Sequence, residues 1–502
     1  MADSAAPLAI HDTERILRVR QALEAAGFTP TEITRRLKPG DADTPRRDVP
    51  RLLKELQADA FGSLSRLFLL GLSARAEELH ELLGPSLTED LQALGLLVEH
   101  GSDARISTFR FAPFENILLL QECPWSPTIP GIETQVMSIS GSTRTLAQMA
   151  ISTPCESALE LGTGNGIVGI LQAASARRVI ATDCNRRALN MTEFTARING
   201  LGNVETRLGN MLEPVTGELF DRIITNPPYV LTPPKPVTEV RVMYRDSGLP
   251  ADGLSESVVR GLPRFLKPGG FAQSMINWAH VQGQPWQERL QGWLKENDCD
   301  AWLLRFETLT PAQYATQWVP KMPDGEFPGY LETFDNWLRY YDREKIEAIT
   351  GGLITLRRRE SGTNWFAEDS VPKQLGPCGE AILRGFTARD YLTSLRSEAD
   401  LLNTTFQLAP EARWVITSQP NEQGWLQSGS RLSLTQGLGF TLDVDATGMK
   451  LVTRIRGSRP LGAFLTEMAT ELHQEFSHLV SISSPLIQTL VEQGFLLPER
   501  RP

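Results

Sequence analysis

Ser157-Ala-Leu-Glu160-Leu-Gly162-Thr-Gly164-Asn-Gly166 opens the stretch that decides the fold, which runs on past Asp183 to Asn226-Pro227-Pro228-Tyr229. Leu159 to Leu161 close an apolar strand, and three glycines follow at alternate positions before the helix-like run Ile167 to Ala174. Glycines there let the backbone turn sharply and bring a ligand close to a helix N-terminus. Arg178 to Thr182 reads as a buried strand with Asp183 at its carboxyl end. An acid about 20 positions past such a loop is placed to accept hydrogen bonds from ribose hydroxyls. On the loop alone two alternatives stand. Gly164, Gly166 and Gly169 satisfy G-x-G-x-x-G, which fits a nicotinamide- or flavin-binding domain, and the glycines also suit a plain tight turn.

The second motif decides between them. Phe220 to Thr225 is a strand signal, and Asn226-Pro227-Pro228-Tyr229 begins at its end. Two prolines stop a sheet ladder, and ligands of open α/β sheets sit outside the carboxyl ends of the strands. The combination resembles class I S-adenosylmethionine-dependent methyltransferases of the Asn-Pro-Pro-Tyr branch. That branch includes the release-factor glutamine methyltransferases (the HemK family), adenine N6-methyltransferases and small-domain guanine N2-methyltransferases. The resemblance covers Pro130 to Arg359. It implies S-adenosylmethionine as cofactor, held by Glu160, Gly162, Gly164, Gly166 and the ribose-binding Asp183. It makes Asn226, Pro227, Pro228 and Tyr229 the catalytic tetrad. One departure stands out: where the family commonly has an acid for the adenine amine, this chain reads Gly209-Asn210-Met211. Asn210, with Met211 beside it, would meet that amine through its amide oxygen.

Those residue types suit the chemistry. An amide or exocyclic amine nitrogen is a poor nucleophile because its lone pair is delocalised. The Asn226 side-chain oxygen and the Pro227 carbonyl could accept its two N–H groups, holding it in line and favouring pyramidalisation. That is positioning and electrostatic catalysis, without a strong base. Tyr229 could stack on the planar group and exclude water. Without the glycine loop upstream, the tetrad would read as a rigid strand-ending turn.

At 502 residues the chain has room for about two to four domains. Its 41% hydrophobic and 22% charged content fit a globular protein, and the net charge of −10 argues against a broad nucleic-acid surface. Five scattered cysteines without a C-x-x-C speak against a disulfide framework or zinc ribbon, so no metal is expected. The N-terminus lacks a signal-peptide pattern and no apolar run reaches transmembrane length, which places the protein in the cytoplasm and off the membrane.

The fold class follows: an α/β, Rossmann-like methyltransferase sheet, flanked by a mainly helical, winged-helix-like N-terminal domain and a C-terminal α+β domain. The N-terminal domain is assigned 1–129, with a hairpin formed by Arg105–Phe111 and Asn116–Gln121 around Ala112-Pro113. It would grip nucleic acid or a protein substrate, or else simply cover the cofactor cleft. Pro124–Pro130 reads as a linker into a methyltransferase domain at 130–360, whose Ala301–Phe306 and Gly352–Leu356 fit a final antiparallel pair. In the resembling families a helix before the glycine loop lids the cofactor. Gly141, Ser142, Thr143 and Arg144 at its start would cradle the methionine carboxylate, or Ser142 or Thr143 would only cap the helix.

The loop after the tetrad gives Arg245, Asp246 and Asp252 as substrate-pocket candidates beside Tyr229, with capping of helix Ser255–Leu262 as the other use of Asp252. Aromatics between Tyr314 and Tyr341 line a pocket or pack a core. The polar stretch 361–379 reads as a linker and 380–502 as the C-terminal domain, with strands near Trp414–Thr417 and Arg431–Thr435 and helices at Leu461–Phe476 and Pro485–Gln493. Both flanking segments carry net negative charge, which favours a protein glutamine, as in a translation factor, over a nucleic-acid base. A nucleic-acid base, a small molecule, or a vestigial fold that only binds remain the alternatives, and the sequence leaves the oligomeric state open.

Overall fold

The computed structural model describes residues 8–37, 45–123, 131, 134–234, 242–295, 297–319, 329–372, 376–422 and 424–499. The Pro124–Pro130 linker falls outside them. The chain divides into two compact units, one of residues 1–147 and 154–370, the other of 148–153 and 371–502. No helix among the described residues is long and apolar enough to cross a membrane.

The first unit is built on an eight-stranded mixed sheet: β1 Cys155–Leu161, β2 Ala176–Asp183, β3 Val204–Leu208, β4 Phe220–Thr225, β5 Leu266–Val281, β6 Cys299–Leu309, β7 Ile346–Arg358 and β8 Phe366–Ser370. Their spatial order is β8-β6-β7-β5-β4-β1-β2-β3. Strands β3, β2, β1, β4 and β5 run parallel, and β7 is inserted antiparallel between β5 and β6. The order reverses between β1 and β4, which opens a crevice at their carboxyl ends. Leu159, Ile180 and Ile223 on the sheet are fully buried, as strands covered on both faces require.

Two expectations change here. The stretch 361–379, polar enough to read as a linker, contains β8, which pairs in parallel with β6. A buried carboxylate explains why: Asp300 of β6 takes Arg357 at 2.6 Å, Arg359 at 3.1 Å and the Trp365 N–H at 3.2 Å, tying three segments at the sheet edge. The hairpin also differs from its reading. Phe109–Phe114 pairs with Ile117–Glu122 and the turn lies at Glu115-Asn116, where Glu115 has φ +50°. Ala112 and Pro113 sit inside the first strand, and Ala104–Ile106 forms a separate one.

That separate strand completes a winged-helix arrangement. Strand Ala74–Arg75, helices Ala76–Leu83 and Pro85–Ala93, and strands Val98–His100 and Ala104–Ile106 form a sheet ordered first, third, second. The hairpin packs against helix Arg186–Ile198, which follows β2: Phe111 stacks on Phe194 at 6.5 Å, and Asn199 bridges both backbone groups of Leu118. The N-terminal segment and the helix behind Asp183 thus share one core.

In the second unit, strands Ala412–Asn421 and Gly424–Leu434 form a long hairpin, and Ala446–Arg454, Leu461–Leu472 and Phe476–Glu492 are helices. Pro485 lies inside the last of these, which therefore starts nine residues before the expected Pro485 boundary, at Phe476. Stability of the first unit should depend on Asp300. Asp300→Ala leaves two arginines without their buried partner and is expected to cost about 3–5 kcal/mol in urea unfolding. A loss below about 1 kcal/mol would show that the edge strands are held by packing alone.

Candidate active site

The register of the two central strands builds the site. Leu161 of β1 pairs with Thr225 of β4, and the Thr225 hydroxyl donates to the Leu161 carbonyl at 2.7 Å. Gly162 and Asn226 therefore emerge side by side. Asp183 ends β2 next door, and together these segments line a cleft of about 550 Å³. Its lining includes Glu160, Gly162, Gly164, Asp183, Asn210, Met211, Asn226, Pro227, Pro228 and Asp246. Gly166 is the left-handed residue (φ +85°) opening helix Ile167–Gln172.

Glycine is required at distinct points of the loop. Gly164 has φ +55°, its Cβ position faces open space, and its N–H donates to Asp183 at 2.9 Å. At Gly169 a Cβ would come within 2.5 Å of the Glu160 carboxylate, so helix and strand approach closely only without a side chain. Glu160 is buried and accepts a short hydrogen bond from the Thr163 hydroxyl. Burial pushes its carboxyl up to about 8, although Thr163 and the Gly169 and Val168 N–H groups favour the charged form. Burial raises Asp183 as well, opposed by N–H groups of Asn185, Gly164 and Cys184. Asp183 accepts from Gly164 at 2.9 Å and from Asn185 at 2.8 Å, with the N–H and thiol of Cys184 as further donors, and it lines the cleft.

Asn226 is the unusual member. Its Nδ2 donates to Ser142 Oγ at 3.2 Å and Thr143 Oγ1 at 3.3 Å, while its Oδ1 is buried with no partner. An unpaired buried acceptor costs roughly 1–3 kcal/mol, which makes it a candidate for a ligand's N–H. Pro227 departs from the sequence reading in one respect: its carbonyl already accepts the Tyr229 N–H at 2.7 Å, and only its second lone pair is open.

Several candidates lie elsewhere. Tyr229 is not in the lining; its ring meets Trp318 edge-on at 6.3 Å and its hydroxyl bonds to Ser142, so it packs behind the tetrad. Arg144 stands over the Phe114 ring at 5.5 Å, and Ser140 caps that helix by accepting the Thr143 N–H. Arg245 pairs with Asp246 at 2.7 Å. Asp252 is claimed by Arg289 and the Ala279 N–H, both at 2.8 Å; it stands at the N-cap of helix Gly253–Gly261 without a side-chain capping bond and is not in the cleft lining. The aromatics of 314–341 pack as a core behind the tetrad, against Val230 and Leu231.

Other residues escaped the motifs. The segment Gln135–Met137 lines the cleft, held by Asn165 to the Met137 carbonyl (3.3 Å), Asn185 to the Thr134 carbonyl (2.9 Å) and Glu122 to the Val136 N–H (3.3 Å). Met243, Tyr244 and Leu249 form a half-exposed apolar rim. The two asparagines, one in the glycine loop and one after Asp183, were the available signal for the first of these; the rim has none.

Residues 138–239 match the model of the methyltransferase small domain, and 25–107 and 384–498 each match a domain of unknown function (DUF7059 and DUF7782). The chain is 32% identical over 126 residues to a release factor glutamine methyltransferase of Xylella fastidiosa, covering 24% of this chain and 46% of that one. It is 36% identical over 94 residues to one of Aliivibrio fischeri, covering 18% and 33%. The chain thus spans less than half the length of these curated relatives. Among solved structures, an rRNA methylase from Streptococcus thermophilus is similar at 15% identity and a TM-score of 0.25, covering 45% of this chain and 99% of that one.

Glu160 gives a test of the site's electrostatics. The native carboxyl keeps its proton to about 8, whereas an ordinary one loses it near 4.5, so the native state binds more protons between these values. Stability contributed by Glu160 is therefore full below about 4.5 and lost as pH rises to about 8. Urea midpoints of Glu160→Gln should fall less than those of the native protein across this range. Parallel curves would contradict the assignment.

Proposed function

We propose, starting from a segment at 138–239 that belongs to the class I methyltransferases of the HemK branch, that this cleft methylates a planar nitrogen, a protein glutamine amide above all. The observation that carries the proposal is the partnerless Asn226 Oδ1 in a cleft it shares with Asp183. The residues present fit S-adenosylmethionine. Asp183 and Asn210 line the cleft as acceptors for ribose hydroxyls and an adenine amine, and the glycine loop leaves open space beside Asp183. When bound, this cofactor supplies an electrophilic methyl group.

The chain's own part is to hold the acceptor. Asn226 Oδ1 takes one N–H of the amide, and the remaining lone pair of the Pro227 carbonyl takes the other. Two acceptors fix the nitrogen's orientation and draw its lone pair out of conjugation, which is catalysis by positioning. Pro227 and Pro228 fix the backbone, and the Tyr229–Trp318 contact seals the tetrad from behind.

A protein acceptor is supported by charge. Among the described lining residues there is no Lys or Arg, whereas nucleic-acid sites contact phosphates with these residues. Helix Pro85–Ala93, at the position of a recognition helix, holds Glu89 and no basic residue, and its Asp90 is buried against Arg15 and Arg18. The apolar rim of Met243, Tyr244 and Leu249 suits a peptide loop, and the relatives' name points to a release factor. Five scattered cysteines without a C-x-x-C fit a cytoplasmic setting.

The test is label transfer from radiolabelled S-adenosylmethionine into lysate of cells lacking this gene, with halves of each reaction treated by protease or nuclease. Label released by protease and retained after nuclease is expected. The reverse would make a nucleic-acid base the acceptor, and no incorporation would overturn methyl transfer itself.

A further inference from the structure

The hydroxyl cluster at the start of helix Gly141–Met149 has a role that the glycine loop and the tetrad leave unassigned. Ser140 Oγ lies 2.9 Å from both Ser142 Oγ and Thr143 Oγ1 and accepts the Thr143 N–H at 3.2 Å. The two outer hydroxyls receive the Asn226 Nδ2, and Ser142 also bonds the Tyr229 hydroxyl. Thr143 is 6% exposed and lines the cleft beside Asn226.

A carboxamide can turn either end toward a ligand. Turned with its NH2 outward, Asn226 would set donors against the N–H groups of an amide acceptor and could not hold it. The hydroxyls at 142 and 143 occupy the donor end: the two bonds with Ser140 and the Ser142 bond to the Tyr229 hydroxyl oxygen use the three hydroxyl protons, which leaves the Ser142 and Thr143 oxygens as acceptors. Oδ1 is left as the end without a protein partner.

We propose that Thr143 and Ser142 are positioning residues that hold the Asn226 carboxamide with its oxygen free for the acceptor N–H. This rests on the methyl-transfer reading above. They touch no reacting atom and act through Asn226. The same contacts make the lid helix and the tetrad one unit, since Ser140 caps the helix that Thr143 belongs to. A helix displaced at its N-terminus would release the amide.

The experiment measures acid-insoluble label incorporated at saturating S-adenosylmethionine into lysate of cells lacking this gene, together with cofactor affinity by calorimetry. Thr143→Val keeps the shape and removes the hydroxyl, and Ser142→Ala removes the other. The single Thr143→Val should lower turnover roughly 10-fold and the double variant roughly 100-fold, as expected for a misplaced catalytic group. Cofactor affinity should stay within about threefold, and Thr143→Ser should recover most of the lost turnover.

A double variant that turns over within about threefold of the native protein, while Asn226→Ala is inactive, would overturn the inference and leave the methyl-transfer reading intact. Turnover and cofactor affinity falling together would overturn it too, by assigning the hydroxyls to the cofactor. Should the double variant not fold, the half-exposed Ser142→Ala alone decides, with a loss of about threefold or more expected. An Asn226→Ala protein as active as the native one would instead defeat the methyl-transfer reading.

Discussion

The pairing of Leu161 with Thr225 is the constraint on which the rest depends. A parallel neighbour relation between β1 and β4 puts the glycine loop and the Asn-Pro-Pro-Tyr turn at one level of the sheet, although 64 residues separate them. The Thr225 hydroxyl, bonded to the Leu161 carbonyl, satisfies a backbone acceptor where the ladder ends. A slip of one residue would turn every side chain of β4 to the other face and carry Asn226 out of the cleft. Asp183 needs no separate device, because Leu161 pairs with Thr182 and the acid follows at the same edge.

What stands behind this edge gives it rigidity. The Tyr314 hydroxyl oxygen accepts from two partners, the Leu231 N–H at 3.2 Å and the Asn277 amide at 2.7 Å. Tyr341 donates to the Leu231 carbonyl at 2.8 Å. Both phenols are buried, and burial raises their titration well above the ordinary range, so they remain neutral hydrogen-bonding groups. The aromatic insertion thus holds the chain just after the tetrad by its backbone. On the other side, the N-terminal hairpin shares a core with helix Arg186–Ile198, which follows the strand that ends in Asp183. Among the described residues that line the cleft, the buried side-chain atom without a hydrogen-bond partner is Asn226 Oδ1.

Much of this was legible in the sequence, because glycines with positive φ and a double proline leave signatures tied to one backbone geometry. The motif spacing marked the central strands and their carboxyl edge, where Asn226 stands in the cleft lining. Tyr229 misled because a tetrad read as a unit does not say which way each side chain turns. In the fold the backbone turn at Pro227–Tyr229 carries that ring into the aromatic core. Asp252 and Arg144 misled for a related reason: a charged residue near a motif has several possible partners, and Arg289 and Phe114 come from distant stretches. The strand at Phe366–Ser370 was invisible to pattern because an edge strand of polar residues lacks apolar alternation, and Asp300 supplies the reason it docks. Ser142 and Thr143 read from sequence as a carboxylate cradle or a helix cap, because Asn226, which donates to both, is 83 residues beyond Thr143 in the chain.

The central claim is that Asn226 presents its oxygen to the nitrogen of a glutamine amide. The most direct measurement is tandem mass spectrometry of a release factor purified from cells lacking this gene, after incubation with S-adenosylmethionine and either native protein or Asn226→Ala. One methyl group on a single glutamine with the native protein, and none with a variant that still binds cofactor, is the predicted result. Equal methylation by both proteins would contradict the account.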